Sequence, residues 1–257
     1  MVSRTCLFLS IIAAACASTS VGAFSPPTLS APILGLGAVL FKPRNKIAKC
    51  EDEAGLVEAG RFFVDAFWTG KIGGASELTQ SQASSLERQQ IAEFKKRYKV
   101  SRPATGRLPG NYAGRSQDKE SELVLCLDSR GECMGCAGIE VETIKKLDGY
   151  DGSFRAPLMS NLAIGRQFRR KGLAEDLVSA AESIARKEWG YDECYLYVEK
   201  RNAPAVKLYK KLGYKVLWED DTATTLLPKE NGRVANGQTT ILCMKKNLNA
   251  GLFGMFA

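Results

Sequence analysis

Residues 161–174 run Asn161-Leu-Ala-Ile-Gly-Arg-Gln-Phe-Arg169-Arg-Lys-Gly172-Leu-Ala174. The apolar residues before them predict a strand over Ala156–Ile164. After them, Leu173, Leu177, Ala181 and Ile184 recur at helical spacing and predict a helix over Lys171–Trp189. A strand thus runs into a helix through a short basic turn. The N-terminus of a helix leaves backbone N–H groups unpaired and carries partial positive charge, which suits phosphate. Gly172 and Ala174 lack bulk, so an anion can approach the amides, and Arg169, Arg170 and Lys171 add full charges. Two readings fit these residues alone. One is a polyphosphate cradle. The other is a tight strand–helix turn with a solvated basic face.

Further out, Glu122–Asp128 and Cys133–Ile144 read as strands joined by the turn Ser129-Arg130-Gly131. Upstream, Glu53–Trp68 and Gln82–Tyr98 carry helical stripes, the second marked by Ile91, Phe94 and Tyr98. Ser101–Lys119 is loop-like. Downstream, Glu193–Glu199 is apolar-rich on both faces and reads as a central strand. Ala203–Leu212 is a short helix stopped by Gly213. Tyr214–Trp218 and Thr239–Lys245 are further strands, separated by a polar loop over Glu219–Gln238. The order ααβββαβαββ predicts one mixed α/β domain of roughly 200 residues, enough to bury a core.

The chain of 257 residues contains no histidine, so Ser-His-Asp and Cys-His pairs, HExxH zinc helices and an imidazole base are all excluded. Its formal charge is +8, but the first 50 residues hold five basic side chains and no acid. The rest carries 31 basic against 28 acidic groups, so the body is nearly balanced. With no aromatic-basic platform either, nucleic-acid binding is not expected. Cys50, Cys126, Cys133, Cys136, Cys194 and Cys243 read as small buried hydrophobes. The lone Cys133-Met-Gly-Cys136 is not at a helix start, which argues against a redox motif, and no metal site is expected. Residues 1–23 have the charge and apolar pattern of a signal peptide, with an apolar run too short to span a membrane. Residues 24–50 are rich in Ser, Pro, Gly and basic residues and read as transit-peptide-like. The junction Val21-Gly22-Ala23-Phe24 resembles the bipartite leaders of algae with complex plastids. A plastid stromal address follows as an expectation, without stable membrane insertion. The folded domain is expected over 51–257: a helical part 51–120, a core 121–218, and a loop with the last strand 219–257.

Arg169-Arg-Lys-Gly172-Leu-Ala174 resembles the R/Q-x-x-G-x-G/A acetyl-CoA loop of the GNAT N-acetyltransferase superfamily. Asn202-Ala-Pro-Ala-Val-Lys-Leu-Tyr209-Lys-Lys-Leu-Gly213-Tyr214 resembles its N-x-x-A-x-x-L-Y-x-x-x-G-F segment. A helix and a strand bridge the two, and the resemblance covers residues 158–218. Leu158-Met-Ser-Asn-Leu-Ala-Ile and Trp189-Gly-Tyr-Asp are most similar to the plastid and cyanobacterial branch, whose plant members acetylate protein N-termini and lysines. The resemblance implies a mostly antiparallel twisted sheet with one splayed parallel pair of strands, flanked by helices.

It also implies direct transfer of acetyl from acetyl-CoA to an amine. Asn161, Leu162, Ala163 and Ile164 would hold the pantetheine arm as an added strand. Arg169, Arg170, Lys171, Gly172, Leu173 and Ala174 would take the pyrophosphate. Asn202 would bond the pantetheine, and Tyr209 would protonate the departing thiolate. Tyr209 also reads as a packing residue on the stripe with Leu208 and Leu212. Related bacterial enzymes carry a glutamate base where this chain has Tyr197. Glu199, two residues on, faces the same side and is the candidate base, with Glu140 and Glu142 as others. The acids Glu219, Asp220 and Asp221 are candidates to attract an ammonium. Expected acceptors are amines of plastid proteins. The alternatives are a small-amine enzyme for arylalkylamines or polyamines, and a CoA-binding module without catalysis.

Overall fold

The computed structural model describes residues 45–98, 100, 120–145 and 153–249. The expected leader up to residue 44, the whole loop 101–119, the connection 146–152 and the apolar tail from residue 250 lie outside the described residues. In chain order the elements are β1 (Lys46–Lys49), α1 (Glu53–Phe63), α2 (Gln80–Arg97), β2 (Ser121–Leu127), β3 (Cys133–Lys145), β4 (Ser153–Ile164), α3 (Leu173–Ser183), β5 (Glu193–Glu199), α4 (Ala203–Lys211), β6 (Lys215–Asp220), β7 (Thr224–Pro228), β8 (Val234–Gln238) and β9 (Ile241–Asn247). Single π-type turns extend α1 over Val64–Trp68 and α3 over Ile184–Glu188.

Seven strands form one sheet in the order β1-β2-β3-β4-β5-β9-β6. Every pairing in it is antiparallel except β4 with β5. The expected mixed α/β class and the single parallel pair are therefore present. Two local readings change. β1 lies inside the segment read as transit-like and pairs with β2 from Lys46↔Leu127 to Lys49↔Val124, so the folded unit starts before residue 51. The polar loop Glu219–Gln238 is the end of β6 followed by the hairpin β7–β8. Polar composition hides its alternation: Thr225 and Leu227 turn inward, and Gly237 leaves room for the Leu227 side chain.

Helices cover both faces. α3 and α4 place Leu173, Leu177, Ala205 and Tyr209 against Met159, Leu196 and Met244. α1 and α2 place Phe63, Phe67 and Phe94 against Leu123, Leu125 and Cys136 on the opposite face. Further along that second face, Ile144, Tyr195, Tyr197 and Cys243 form a third cluster, with Trp218 against Tyr197 at 5.5 Å between ring centres. Helix starts are set by side chains: Asp52 accepts the Gly55 N–H at 2.7 Å, and Thr79 and Gln82 form a reciprocal capping box.

α1 and α2 meet at Gly60, where a Cβ would stand 2.7 Å from Ile91 Cγ1 and 3.2 Å from its Cα. Gly60→Val forces the helices apart and is expected to cost about 1–3 kcal/mol. Urea unfolding checks this: the midpoint falls while the slope is unchanged. An unaltered midpoint refutes the close approach.

Candidate active site

The parallel contact of β4 with β5 is short. Only Leu158↔Tyr195 and Met159↔Leu196 are in register, and beyond them the strands separate. The cause lies in β4. Its register with β3 passes from Gly138↔Ser160 to Cys136↔Ala163, so Asn161 and Leu162 together oppose Ala137. This bulge places Asn161 at φ 56°, a left-handed conformation that asparagine tolerates better than most residues. Leu162, Ala163 and Ile164 follow with β3 on one side and, among the described residues, no strand on the other. A β-type ligand backbone fits that free edge.

After Ile164 the chain turns through Gly165 and a short 3₁₀ segment, Arg166–Phe168. Arg170 and Gly172 then take positive φ, 63° and 86°, and Gly172 opens α3 with no capping side chain. A Cβ at Gly172 would meet nothing within 4 Å, so the start of α3 is uncrowded at this residue. The exposed Arg170 and Lys171 flank it, and Lys171 lies over the Phe168 ring at 5.5 Å. Arg169 is placed differently. Its Nε donates to the Ile164 carbonyl at 3.1 Å and its Nη2 to the Ala66 carbonyl at 2.9 Å. It braces the turn against the extension of α1.

Asn202 caps α4, its Oδ1 accepting the Ala205 N–H at 3.2 Å. Its Nδ2 is buried and without a partner, as are Tyr209 Oη and Asn161 Oδ1. Buried polar atoms are normally paired, so three orphans on residues expected to bind one ligand are informative. Asn202 Nδ2 and Tyr209 Oη suit the carbonyls and sulfur of a CoA arm, while Asn161 Oδ1 calls for an N–H donor. Tyr209 is fully buried, stacked edge-on to Tyr214 at 5.8 Å between ring centres. Burial pushes its phenol well above the ordinary range, so it holds its proton at neutral pH.

Glu199 is a buried hub. It accepts from Arg201 Nε at 2.6 Å, Thr225 Oγ1 at 3.2 Å and Thr239 Oγ1 at 3.3 Å, and pairs with Lys71 Nζ at 3.5 Å. Lys71 donates to Thr225 Oγ1 at 2.7 Å and lies over the Phe67 and Trp68 rings. Glu140 is likewise buried and bound by Arg97 at 2.6 Å, while Glu142 is half-buried on β3. Glu219 pairs with Lys200 at 2.6 Å, and Asp220 caps Thr222. Asp221 instead lines an open groove with Thr222, Gln238, Thr239 and Thr240. Lys71 carries no sequence signal, because it sits alone in a glycine-rich connection. Arg201 stands beside a motif without belonging to it. Burial pushes the Cys133 thiol up to about 12 and the fully buried Cys136 thiol well up, so both are inert hydrophobes.

Residues 85–214 match the model of the acetyltransferase (GNAT) family. Over 71 residues the chain is 39% identical to GCN5-related N-acetyltransferase 4, chloroplastic, of Arabidopsis thaliana, covering 28% of this chain and 24% of that protein. An N-alpha-acetyltransferase of Sulfurisphaera tokodaii is 38% identical over 55 residues, covering 21% of this chain and 33% of that protein. The match thus spans a third or less of these relatives' length. A chimeric spermidine N-acetyltransferase from Vibrio cholerae superposes with a TM-score of 0.51 at 13% identity, over 81% of this chain and 98% of that one, and shares the fold.

Lys71 yields a pH prediction. Burial pulls its ammonium from the ordinary 10.5 down to about 8 against the opposing pull of Glu199. Between those pH values the unfolded chain holds the proton and the folded chain does not, so stability rises with pH across that window. Measured against Lys71→Met by urea unfolding, the native protein is expected to gain about 2–3 kcal/mol from pH 8 to pH 10.5. A difference that stays flat or falls with pH contradicts the burial of this amine.

Proposed function

The chain belongs to the GNAT acetyltransferase family, and from that membership we propose that it transfers acetyl from acetyl-CoA to amines of plastid proteins. The observation that carries this reading is the parting of β4 from β5 directly before a turn that presents uncapped helix amides. The pantetheine arm lies along the free edge of β4 at Leu162, Ala163 and Ile164. The pyrophosphate sits at the N–H groups of Gly172, Leu173 and Ala174, with Arg170 and Lys171 adding charge. Arg169 contributes by holding that turn in shape. Asn202 Nδ2 donates to the arm.

The amine nitrogen attacks the thioester carbonyl carbon, the C–S bond breaks, and Tyr209 gives its phenolic proton to the sulfur. The proton shed by nitrogen passes to water, and Tyr209 is reprotonated after CoA leaves. Burial keeps Tyr209 protonated at neutral pH, so the group that reaches the sulfur is the phenol and not the phenolate. α3 and α4 occupy one face of the cleft, so the acceptor enters from the other, where Tyr197, Glu199 and the Asp221 groove lie.

That face favours a particular amine. Glu199 and Glu140 are tied to cations, and burial raises the Tyr197 phenol, so none of the three is a ready base. We place Glu199 as a positioning residue that ties the acceptor-side loops together. A lysine must then lose its proton without help, at a cost of about 3 kcal/mol at pH 8, whereas an α-amine is about half neutral there. Protein N-termini are the preferred acceptors. The chloroplastic names of two Arabidopsis relatives and the leader composition support a plastid setting.

Two measurements test this. Tyr209→Phe should lower kcat about a hundredfold or more while the Kd for CoA by calorimetry shifts by no more than about twofold. An unchanged single-turnover rate removes Tyr209 from the chemistry. At pH 8, free-N-terminal peptides should be acetylated about a hundredfold faster than blocked peptides bearing one lysine. Faster transfer to lysine or to spermidine overturns the acceptor assignment.

A further inference from the structure

The bulge that opens the cleft is held from below. Because Asn161 is the extra residue, Ser160 and Asn161 both turn their side chains toward α2. There they meet Tyr98, the residue that ends α2. Asn161 Nδ2 donates to Tyr98 Oη at 2.6 Å and to Ser160 Oγ at 3.2 Å, and Tyr98 Oη lies 3.2 Å from Ser160 Oγ. Tyr98 is buried and its hydroxyl passes directly over Gly138 of β3. A Cβ on Gly138 would stand 1.8 Å from Tyr98 Oη and 2.5 Å from its Cζ, so the notch exists because residue 138 has no side chain.

In this network the Asn161 amide nitrogen donates to both hydroxyls. The other end, Oδ1, is left with no donor although the residue is only 1% exposed. A buried carbonyl in that state is a standing cost unless a ligand brings an N–H. Its position says which ligand. Asn161 stands just past the last β4–β5 pair, on the α1/α2 face of the sheet, the face opposite Tyr209 and α3.

We propose that Asn161 Oδ1 accepts an N–H of the incoming acceptor amine, and that Tyr98, seated in the Gly138 notch, is the residue that positions it. This rests on the acetyltransferase reading above. The amine is thereby aimed at the thioester by a carboxamide held by two hydroxyls. Tyr98 acts only through Asn161.

The test uses the full chain and three variants: Asn161→Gly, which keeps a residue at ease with φ 56° and removes the carboxamide; Tyr98→Phe, which removes one oxygen; and the double variant. Calorimetry with CoA reports that the cleft is folded, and steady-state transfer to an N-terminal peptide gives kcat and each KM. Each single variant should lose about ten- to a hundredfold in kcat/KM for the peptide, with CoA affinity held within about twofold. The double variant should lose no more than Asn161→Gly alone, because one residue works through the other. Gly138→Ala, which pushes the hydroxyl away by a separate route, should reproduce the Tyr98→Phe loss. The proposal falls if Asn161→Gly raises the KM for acetyl-CoA and spares the peptide, since the orphan carbonyl then serves the pantetheine. It falls also if the two losses multiply in the double variant. If the unaltered protein binds CoA and acetylates no amine, the parent reading fails and this one with it. If the unaltered protein is active and the variants match it, only this one fails.

Discussion

The structure depends on a parallel strand pair that stops after two residues. In a sheet interior each strand satisfies its backbone on both sides. β4 does so on the β3 side along most of its length, but from Ser160 onward it has no strand neighbour toward β5. The single extra residue at the bulge accounts for the parting, because it rotates β4 relative to β5 while β3 stays in register before and after it. Everything chemical follows from that slot. It offers amides to an extended ligand, it leads straight into the uncapped start of α3, and it separates a face built by α3 and α4 from a face built by α1 and α2.

Beside its apolar clusters, the second face carries a buried charge network. Glu199 brings together Lys71 from the connection after α1, Thr225 from β7 and Thr239 from the end of the hairpin. Ala75 N–H to the Pro228 carbonyl and Gln82 Nε2 to the carbonyls of Lys229 and Arg233 extend the same tie. A buried carboxylate stands only where cations and hydroxyls replace its water, and here two cations and two hydroxyls do so. Such an arrangement gives no great stability, but it sets where two loops sit beside the cleft. The groove bearing Asp221 begins at Thr239, so the tie also borders the space an acceptor would cross.

Much of this was legible in the order of residues. Helical spacing in Glu53–Trp68 and Lys171–Trp189 located α1 and α3 together with their π-type extensions. The two motifs placed the turn at Gly172 and the cap at Asn202. What stayed hidden has one physical character: it depends on which distant groups meet. Tyr98 looks like one more apolar helix residue until Gly138 is set beneath it. Glu199 looks like a base until Lys71 and Arg201 arrive from other segments. Arg169 looks like a phosphate ligand until its guanidinium is found on the carbonyls of Ile164 and Ala66. Hairpin β7–β8 was masked by threonine and asparagine, which suit both a loop and an edge ribbon.

The absence of histidine shapes the chemistry more than any residue present. Imidazole would take a proton from the nucleophile and return it to the leaving group near neutral pH. Here the two tasks are divided. Burial holds the Tyr209 proton on oxygen at neutral pH, so in the proposed mechanism this phenol gives a proton and takes none from the nucleophile. On the other face Glu199 and Glu140 are tied to cations, which is why the proposed acceptor is an amine that arrives neutral. The orphaned atoms of Asn161, Asn202 and Tyr209 express the same division before any ligand binds. Each carries a desolvation cost in the free protein of the order of 1–3 kcal/mol. In the proposed mechanism, groups that pair only when both substrates are in place convert that cost into affinity and orientation.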